Sequence, residues 1–188
     1  MPVLFDTEFT AWEDSMANRW LAPGEFREVV QIGAAKVHAA SLAIVAEFEV
    51  LIRPRLNPVL SDYFVKLTGI TNDAVKHRGV DFHEAYERFV EFSGNDTIAA
   101  FGRDDLVLID NLALYGIADV LPLPPHRNIA EWLRANGIRT KGVHACDVAE
   151  ACGASFKGRK HDALDDARSL VMGIQALVGR GAPNPFTE

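Results

Sequence analysis

The first apolar segment of the chain carries two acidic residues on one face. Val3 to Phe9 read VLFDTEF, a composition that predicts a strand. Alternation along a strand puts Asp6 and Glu8 on the same face as Leu4. Burying two carboxylates is costly unless a cation neutralises them, and Mg²⁺ or Mn²⁺ prefers such oxygen ligands. A solvated edge strand is the alternative, but the apolar lead-in favours a central, partly buried strand.

The composition is that of a folded, acidic chain. Its 188 residues are 48% apolar, which is enough to bury a substantial core. It has 19 basic and 26 acidic residues, a net charge of −7, so it does not bind polyanions by bulk attraction. Cys146 and Cys152 lack a zinc-like spacing and are interpreted as core residues in a reducing compartment. Because no apolar run reaches membrane-spanning length, we expect a cytoplasmic protein without membrane association.

The order of the predicted elements indicates an α/β fold with a mixed sheet. Three strands come first, and helices then alternate with the short strand TIAAF. The predicted strands are Val3–Phe9, Val29–Val37 and Leu42–Ile52, and the predicted helices are Asp81–Ser93, Asp105–Tyr115, Val143–Cys152 and Ala163–Val178. Residues 1–180 are predicted to form a single domain, with 181–188 as a loose C-terminal tail.

A further carboxylate is predicted near the start of a helix. Asp105 shares a helical stripe with Leu108 and Leu112, an apolar face on which a bare carboxylate is disfavoured. The alternative is that Asp104 or Asp105 caps the helix, which is the favoured interpretation for this segment alone. Both can hold together, with Asp104 as the cap and Asp105 pointing inward.

The segment GRKHDALDDAR supplies an imidazole and another carboxylate. Asp162 suits the N-cap of the last helix and Asp165 the capping-box position. Asp166 borders the apolar stripe of that helix and has no such structural explanation. His161 precedes the cap and is either an exposed loop histidine or a general base beside a metal cluster, for which its near-neutral pKa is suitable.

In this order the acidic motifs resemble those of a nuclease family. The pattern D-x-E, a distant Asp and H-x(4)-D is typical of the DEDDh 3′–5′ exonucleases, the DnaQ-like and ribonuclease T-like group of the ribonuclease H-like superfamily. VVQIGAAKV and FVKLTGITNDAV are also similar to family segments. The family's G-x-x-D spacing from Gly102 selects Asp105, and H-x(4)-D selects Asp166. The segments FGRDD and FKGRKH favour the Eri-type or KapD-like branch, which trims RNA.

The resemblance implies a ribonuclease H-like three-layer fold, in which helices flank a mixed five-stranded sheet. It also implies a catalytic set, namely Asp6, Glu8, Asp105, His161 and Asp166. Two divalent ions, Mg²⁺ or Mn²⁺, would be bound by Asp6, Glu8 and Asp166, with Asp105 assisting and His161 as general base. The implied substrate is the 3′ end of single-stranded RNA or DNA, which would be released as nucleoside 5′-monophosphates.

Substrate contacts are expected around the first strand and at two arginines. The resemblance implies that Thr7, Phe9 and Thr10 seat the terminal nucleotide, with the Phe9 ring either stacking on a base or packing in the core. Arg103 and Arg159 are expected to contact phosphates. A non-catalytic binding module and a related endonuclease are the rival interpretations. The residues do not decide between RNA and DNA. The sequence does not determine the oligomeric state either, and a homodimer is one possibility.

Overall fold

A central sheet of five strands organises the part of the chain that the structure describes. The computed structural model describes residues 1–187. The strands are β1 (Val3–Phe9), β2 (Val29–Val37), β3 (Ile44–Leu51), β4 (Ile98–Ala100) and β5 (His126–Asn128). Their order is β3-β2-β1-β4-β5, with β2 antiparallel to both neighbours and β4 parallel to both of its own. The predicted mixed sheet is confirmed, and β1 lies at its centre.

Helices cover both faces of this sheet. They are α1 (Ser15–Asn18), α2 (Asp62–Thr68), α3 (Asn72–Arg78), α4 (Phe82–Ser93), α5 (Asp104–Tyr115), α6 (Ile129–Ala135), α7 (Val148–Ala151) and α8 (Ala163–Val178). A 3-10 turn, Ala145–Asp147, precedes α7. Helices α4 and α5 pack against one face, and α6, α7 and α8 pack against the other. The chain therefore has the predicted three layers.

Strand alternation divides β1 between two apolar cores. Val3 and Phe5 pack with Phe89 of α4, whereas Leu4 packs with Leu170 of α8 on the opposite face. The acidic positions of β1 follow Leu4 at intervals of two residues. Their carboxylates therefore belong to the face that α8 covers.

The N-terminus of α8 approaches β2 closely at Gly33. A Cβ at this position would lie 2.2 Å from the carbonyl carbon of Ala163, so only glycine fits without moving the helix. Gln31 accepts a hydrogen bond from the Ala163 N–H at 3.0 Å and donates one to Asp162 at 3.3 Å. Because Gly33 pairs with Asp6 in the sheet, this contact places the first turn of α8 beside the acidic face of β1.

Three regions differ from the sequence-based expectations. The predicted helix 143–152 is a 3-10 turn followed by the short α7. Residues 10–26, whose polar composition predicts a loop after the first strand, contain α1. The predicted loose tail is packed where it is described, because Asn184 donates to the Ala39 carbonyl at 2.9 Å and Phe186 packs against the α8 core. Glu188 of that tail lies outside the described residues.

Within residues 1–187, no helix is long and apolar enough to cross a membrane.

Candidate active site

An open cleft of about 700 Å³ runs over the acidic end of β1. We call it the acidic cleft. Residues from β1, the 10–26 loop, α2, α5, the 3-10 turn and α8 line it, and they include Asp6, Thr7, Glu8, Phe9, Trp12, Trp20, Tyr63, Leu67, Arg103, Asp104, His144, His161 and Asp166. The D-x-E motif and the H-x(4)-D motif therefore meet at one site, although some 150 residues separate them in the chain.

Three buried carboxylates converge in this cleft. Oxygen atoms of Asp6, Glu8 and Asp166 lie within 4.8 Å of one another. The three residues are 8%, 8% and 3% exposed, so water screens their charges poorly. Asp166 lies in the first turn of α8, whose N-cap is Asp162, as predicted. The structure thus brings together the three carboxylates that the sequence assigned to metal binding.

Burial and mutual repulsion raise the pKa values of these acids. Burial is the larger cause for Asp6 and Glu8, and neighbouring carboxylates raise both pKa values further. Burial raises the pKa of Asp166 to about 8, although a hydrogen bond from the backbone of His161 opposes this change. A cation placed among the carboxylates would reverse the effect, since opposite charge favours the ionised form.

The donor set fits a hard divalent ion. The Oδ1 atom of Asp166 is buried and has no hydrogen-bond partner among the described residues. Buried polar atoms are nearly always paired, so an unpaired oxygen on a carboxylate that adjoins two other buried carboxylates is consistent with a cation bound there. An all-oxygen set suits Mg²⁺ or Mn²⁺ better than softer metals. Asp6, Glu8 and Asp166 are therefore competent to hold such an ion.

Of the two adjacent aspartates at the start of α5, Asp104 is the one that faces this cluster of carboxylates. It lines the acidic cleft and accepts a hydrogen bond from the Thr7 hydroxyl at 2.6 Å. Burial raises the pKa of Asp104 to about 6, and its charge raises the pKa of Asp6 in turn. The N-cap of α5 is Arg103, without a side-chain cap bond. The predicted orientation, with Asp104 as the cap and Asp105 directed at the metal centre, is therefore wrong.

Asp105 is buried as predicted, but it forms an ion pair with Arg103 and lies beside His126. Nε and Nη2 of Arg103 donate to its two oxygens at 2.9 and 2.8 Å, and His126 Nδ1 lies 3.5 Å away. Burial raises the pKa of Asp105, but Arg103 and His126 more than offset this, and the net pKa is lowered. A carboxylate that the protein already neutralises does not need a metal ion. Asp105 is thus buried on the apolar stripe of α5 as predicted, but its partner is Arg103 and not a metal ion.

His161 overhangs the cleft from a left-handed turn before α8. Its φ is 60°, and its ring centroid lies 6.1 Å from that of His144. Burial lowers the pKa of His161, and the charge of His144 lowers it further. The imidazole is therefore neutral at pH 7 and able to accept a proton. His144 was missed by the sequence argument, because its place in the cleft depends on the turn that precedes α7.

The predicted substrate-binding residues divide into two groups. Thr7, Phe9 and Arg103 line the acidic cleft, whereas Thr10 and Arg159 do not. The Thr10 side chain is 2% exposed because its hydroxyl is used within the fold, where it bonds the backbone on either side of residue 27. The guanidinium of Arg159 packs where a side chain on Gly69 would lie. Thr10 therefore has a structural role, whereas contact of the exposed Arg159 with substrate stays a prediction.

An aromatic wall next to the carboxylates was not predicted in full. The rings of Phe9 and Trp20 meet edge-on with centroids 5.4 Å apart, and the Arg27 guanidinium lies 5.4 and 5.8 Å from their centroids. Trp12 and Tyr63 extend the same wall. The only indication in the sequence was the presence of two tryptophans in an otherwise polar loop. Their convergence depends on how the 10–26 loop folds back over β1.

The fold and the site define the class of the protein, and comparison with known families agrees. A layered α/β domain in which clustered carboxylates adjoin an imidazole is compatible with a metal-dependent nuclease. The RNase_T family model, described as Exonuclease, matches residues 3–172. The chain belongs to this exonuclease family, and the predicted relation to the DEDDh 3′–5′ exonucleases is confirmed.

Individual relatives are similar over most of the chain. The chain is 26% identical to the 3′-5′ exonuclease Snipper of Drosophila melanogaster, over 99% of the chain and 72% of that protein. It is 23% identical to the 3′-5′ exonuclease eri1 of Schizosaccharomyces pombe, over 76% of the chain and 58% of that protein. The nuclease domain of 3′hExo, a DEDDh family member solved with rAMP, has a TM-score of 0.79 and 22% identity, covering 100% of this chain and 96% of that one. The ribonuclease H-like fold is thereby confirmed.

Proposed function

We propose that the chain removes nucleoside 5′-monophosphates from the 3′ ends of single-stranded nucleic acid, with RNA preferred over DNA. The observation that carries the proposal is the convergence of four acids, Asp6, Glu8, Asp104 and Asp166, beside a neutral His161 in an open cleft. Two similar proteins support RNA, namely ERI1 exoribonuclease 2 of Xenopus laevis and a 3′-exonuclease that recognises a histone mRNA stem-loop. A cytoplasmic location and a homodimer stay predictions.

The acids would hold two divalent ions, Mg²⁺ or Mn²⁺. Asp6, Glu8 and Asp166 are the proposed ligands, and Asp104 takes the assisting position that the sequence argument gave to Asp105. When bound, such ions would neutralise the carboxylates and the charge that develops on the scissile phosphate. The hydroxyl of Thr7 orients Asp104 by the hydrogen bond between them.

His161 is the proposed general base. Its lowered pKa keeps the ring unprotonated at pH 7, so it can accept the proton of the attacking water. The left-handed backbone at this residue projects the ring over the first turn of α8, where Asp166 lies. Loss of this proton acceptor would reduce the rate without removing any of the four acids.

The aromatic wall and Arg103 are the proposed substrate contacts. Phe9 and Trp20 offer ring faces on which a base can stack without regard to its identity. Asp105 binds Nε and Nη2 of Arg103, which orients the guanidinium and leaves Nη1 to donate to a phosphate. The side chain of Arg103 is 55% exposed at the cleft, so it is accessible to substrate.

A single set of substrates tests the proposal. The purified chain would be incubated with Mg²⁺ or Mn²⁺ and with 5′-labelled linear strands and unlabelled circles, each as RNA and as DNA. We expect a ladder that shortens from the 3′ end, with 5′-monophosphates as the product and faster loss of RNA. Cleavage of the circles would instead identify an endonuclease, and binding without cleavage would identify a non-catalytic module. Asp6→Asn is the control and should lose both activity and Mn²⁺ binding.

A further inference from the structure

A second set of metal-ligand atoms shares Asp166 with the carboxylate centre. The Sγ atom of Cys146, a ring nitrogen of His161 and a carboxylate oxygen of Asp166 lie within 4.8 Å of one another. We propose that these residues form an inhibitory site for a thiophilic divalent ion such as Zn²⁺. The binding site stands on this geometry alone, whereas the inhibition rests on the proposed nuclease function.

The fold holds the thiol in place beside α8. Cys146 is 1% exposed and lies in the 3-10 turn before α7. Ser169 of α8 is fully buried, donates to the Cys146 carbonyl at 3.1 Å and accepts from the Ala149 N–H at the same distance. These bonds tie the middle of the 3-10 turn and the first turn of α7 to α8, one turn after Asp166. The position of the sulfur relative to that carboxylate is therefore determined by packed, hydrogen-bonded backbone.

Asp166, which both sets of ligand atoms share, has an unpaired oxygen. Its Oδ1 atom is buried and makes no hydrogen bond to any described residue. An ion bound at either set would be next to this carboxylate. Asp166 belongs to both sets of ligand atoms, so an ion held by Cys146 and His161 would compete for Asp166 with an ion held by Asp6 and Glu8.

The two sets differ in the metal they prefer. Asp6, Glu8 and Asp166 offer only oxygen, which suits Mg²⁺ or Mn²⁺. A sulfur, an imidazole nitrogen and a carboxylate oxygen suit Zn²⁺, which takes three protein ligands and leaves the fourth position to water. The acidic cleft provides the access route, since His161, Asp166 and the neighbouring Ala145 line it. The thiol, by contrast, has no role in the proposed hydrolysis.

Occupation of this site would disable two residues of the proposed mechanism. A ring nitrogen of His161 that binds a metal can no longer accept a proton, and Asp166 would be drawn from the carboxylate centre. Zn²⁺ should therefore inhibit the Mn²⁺-supported reaction, and Cys146 should decide how sensitive the protein is. No other cysteine in the sequence can replace it, since Cys152 lies outside the set of ligand atoms.

Cys146→Ala tests the proposal, with Cys152→Ala as the matched control. Both cysteines are 1% exposed, so either substitution removes a buried thiol. Titration with Co²⁺ should give the near-ultraviolet absorption of a cobalt–thiolate bond in the wild-type chain and in Cys152→Ala, but not in Cys146→Ala. The Zn²⁺ concentration that halves the Mn²⁺-supported activity should rise about 10-fold or more in Cys146→Ala alone. Cys146→Ser serves the same purpose if the alanine variant does not fold.

The two readouts separate this site from the nuclease proposal. Cobalt titration needs no turnover, so an inactive chain with the Cys146-dependent band supports the metal site while the nuclease proposal fails. An active chain that lacks the band overturns the metal site. Equal Zn²⁺ sensitivity in the wild-type chain and both cysteine variants also overturns it, because zinc would then act at the carboxylates alone.

Discussion

At the scale of single residues, two adjacent aspartates have opposite pKa shifts because their surroundings differ. Asp104 lines the acidic cleft and burial raises its pKa, whereas the hydrogen bonds from Arg103 outweigh burial at Asp105 and lower its pKa. We expect Asp104→Asn to lower kcat on the order of 10²-fold or more, as loss of a charged group at a reaction centre does. Asp105→Asn should chiefly raise KM, because Arg103 loses its orientation. Steady-state kinetics on one oligonucleotide measures both, and a larger fall in kcat for Asp105→Asn would reverse the assignment.

His161 is expected to affect the rate and not metal binding. His161→Ala should lose roughly 10²–10⁴-fold in kcat, the usual contribution of a positioned acid–base group. Mn²⁺ titration by calorimetry should be unchanged, since Asp6, Glu8 and Asp166 remain. Arg159→Ala is a comparison in the same loop, because Arg159 does not line the cleft in this structure. Near-normal turnover of His161→Ala would remove the imidazole from the mechanism.

His144 should set the pH at which this base becomes active. The base must be neutral, so activity falls as the pH drops through the pKa of His161, which lies below its ordinary value of 6.5. His144→Ala removes a charge that lowers this pKa, and the acid limb of the kcat profile should therefore move to higher pH. The profile is measured from pH 5 to 8 in both proteins. An acid limb that stays in place, or moves to lower pH, contradicts the coupling of the two rings.

The sequence predicted the residues whose direction local periodicity determines. Alternation alone places Asp6 and Glu8 on one face of β1, and capping by Asp162 accounts for the start of α8. The choice between Asp104 and Asp105 could not be made this way. It depends on which of the two acids Arg103 binds, and on His126 of β5, which lies 21 positions along the chain and reaches Asp105 only after the sheet has formed.

At the scale of elements, the close approach of α8 to β2 holds the site together. A Cβ on Gly33 would lie 2.2 Å from the backbone of Ala163, so Gly33→Ala should push the helix outward and separate Asp166 from Asp6. We expect a lower melting temperature and a large loss of activity together. Gly137→Ala is the control, because it adds a methyl group to open space at a φ of 82° and should cost only about 1 kcal/mol of stability.

Activity per folded molecule distinguishes the two glycine variants. If Gly33→Ala merely destabilises the chain, its folded fraction should retain wild-type turnover, and the role of the close approach in aligning the carboxylates is contradicted.

The strands and long helices were predicted well because their periodicity and caps are local. The 10–26 loop was not, since its aromatic wall is assembled by contacts such as that of Trp20 with Phe9.

At the scale of the whole molecule, the acidic cluster makes the metal-free chain sensitive to pH. The pKa of Asp166 is raised from 3.8 to about 8. Between these values the native carboxyl keeps a proton that the unfolded chain has lost, so the stability decreases as the pH rises. Below the lower value both states are protonated and the penalty vanishes. Above the upper value both are ionised and the penalty is complete.

A divalent ion should remove this penalty, because the ionised carboxylate is the form that binds it. In the presence of a chelator, Asp166→Asn should be more stable than the wild-type chain, by a margin that grows between about pH 4 and pH 8. Mn²⁺ should raise the melting temperature of the wild-type chain more at pH 8 than at pH 5 and have little effect on the variant. Thermal melts at five pH values, with and without Mn²⁺, measure the stability margin of the variant and the rise in melting temperature that Mn²⁺ causes. A constant margin across that range would mean that Asp166 is already neutralised by the protein, and the need for a cation at this site would lose its basis.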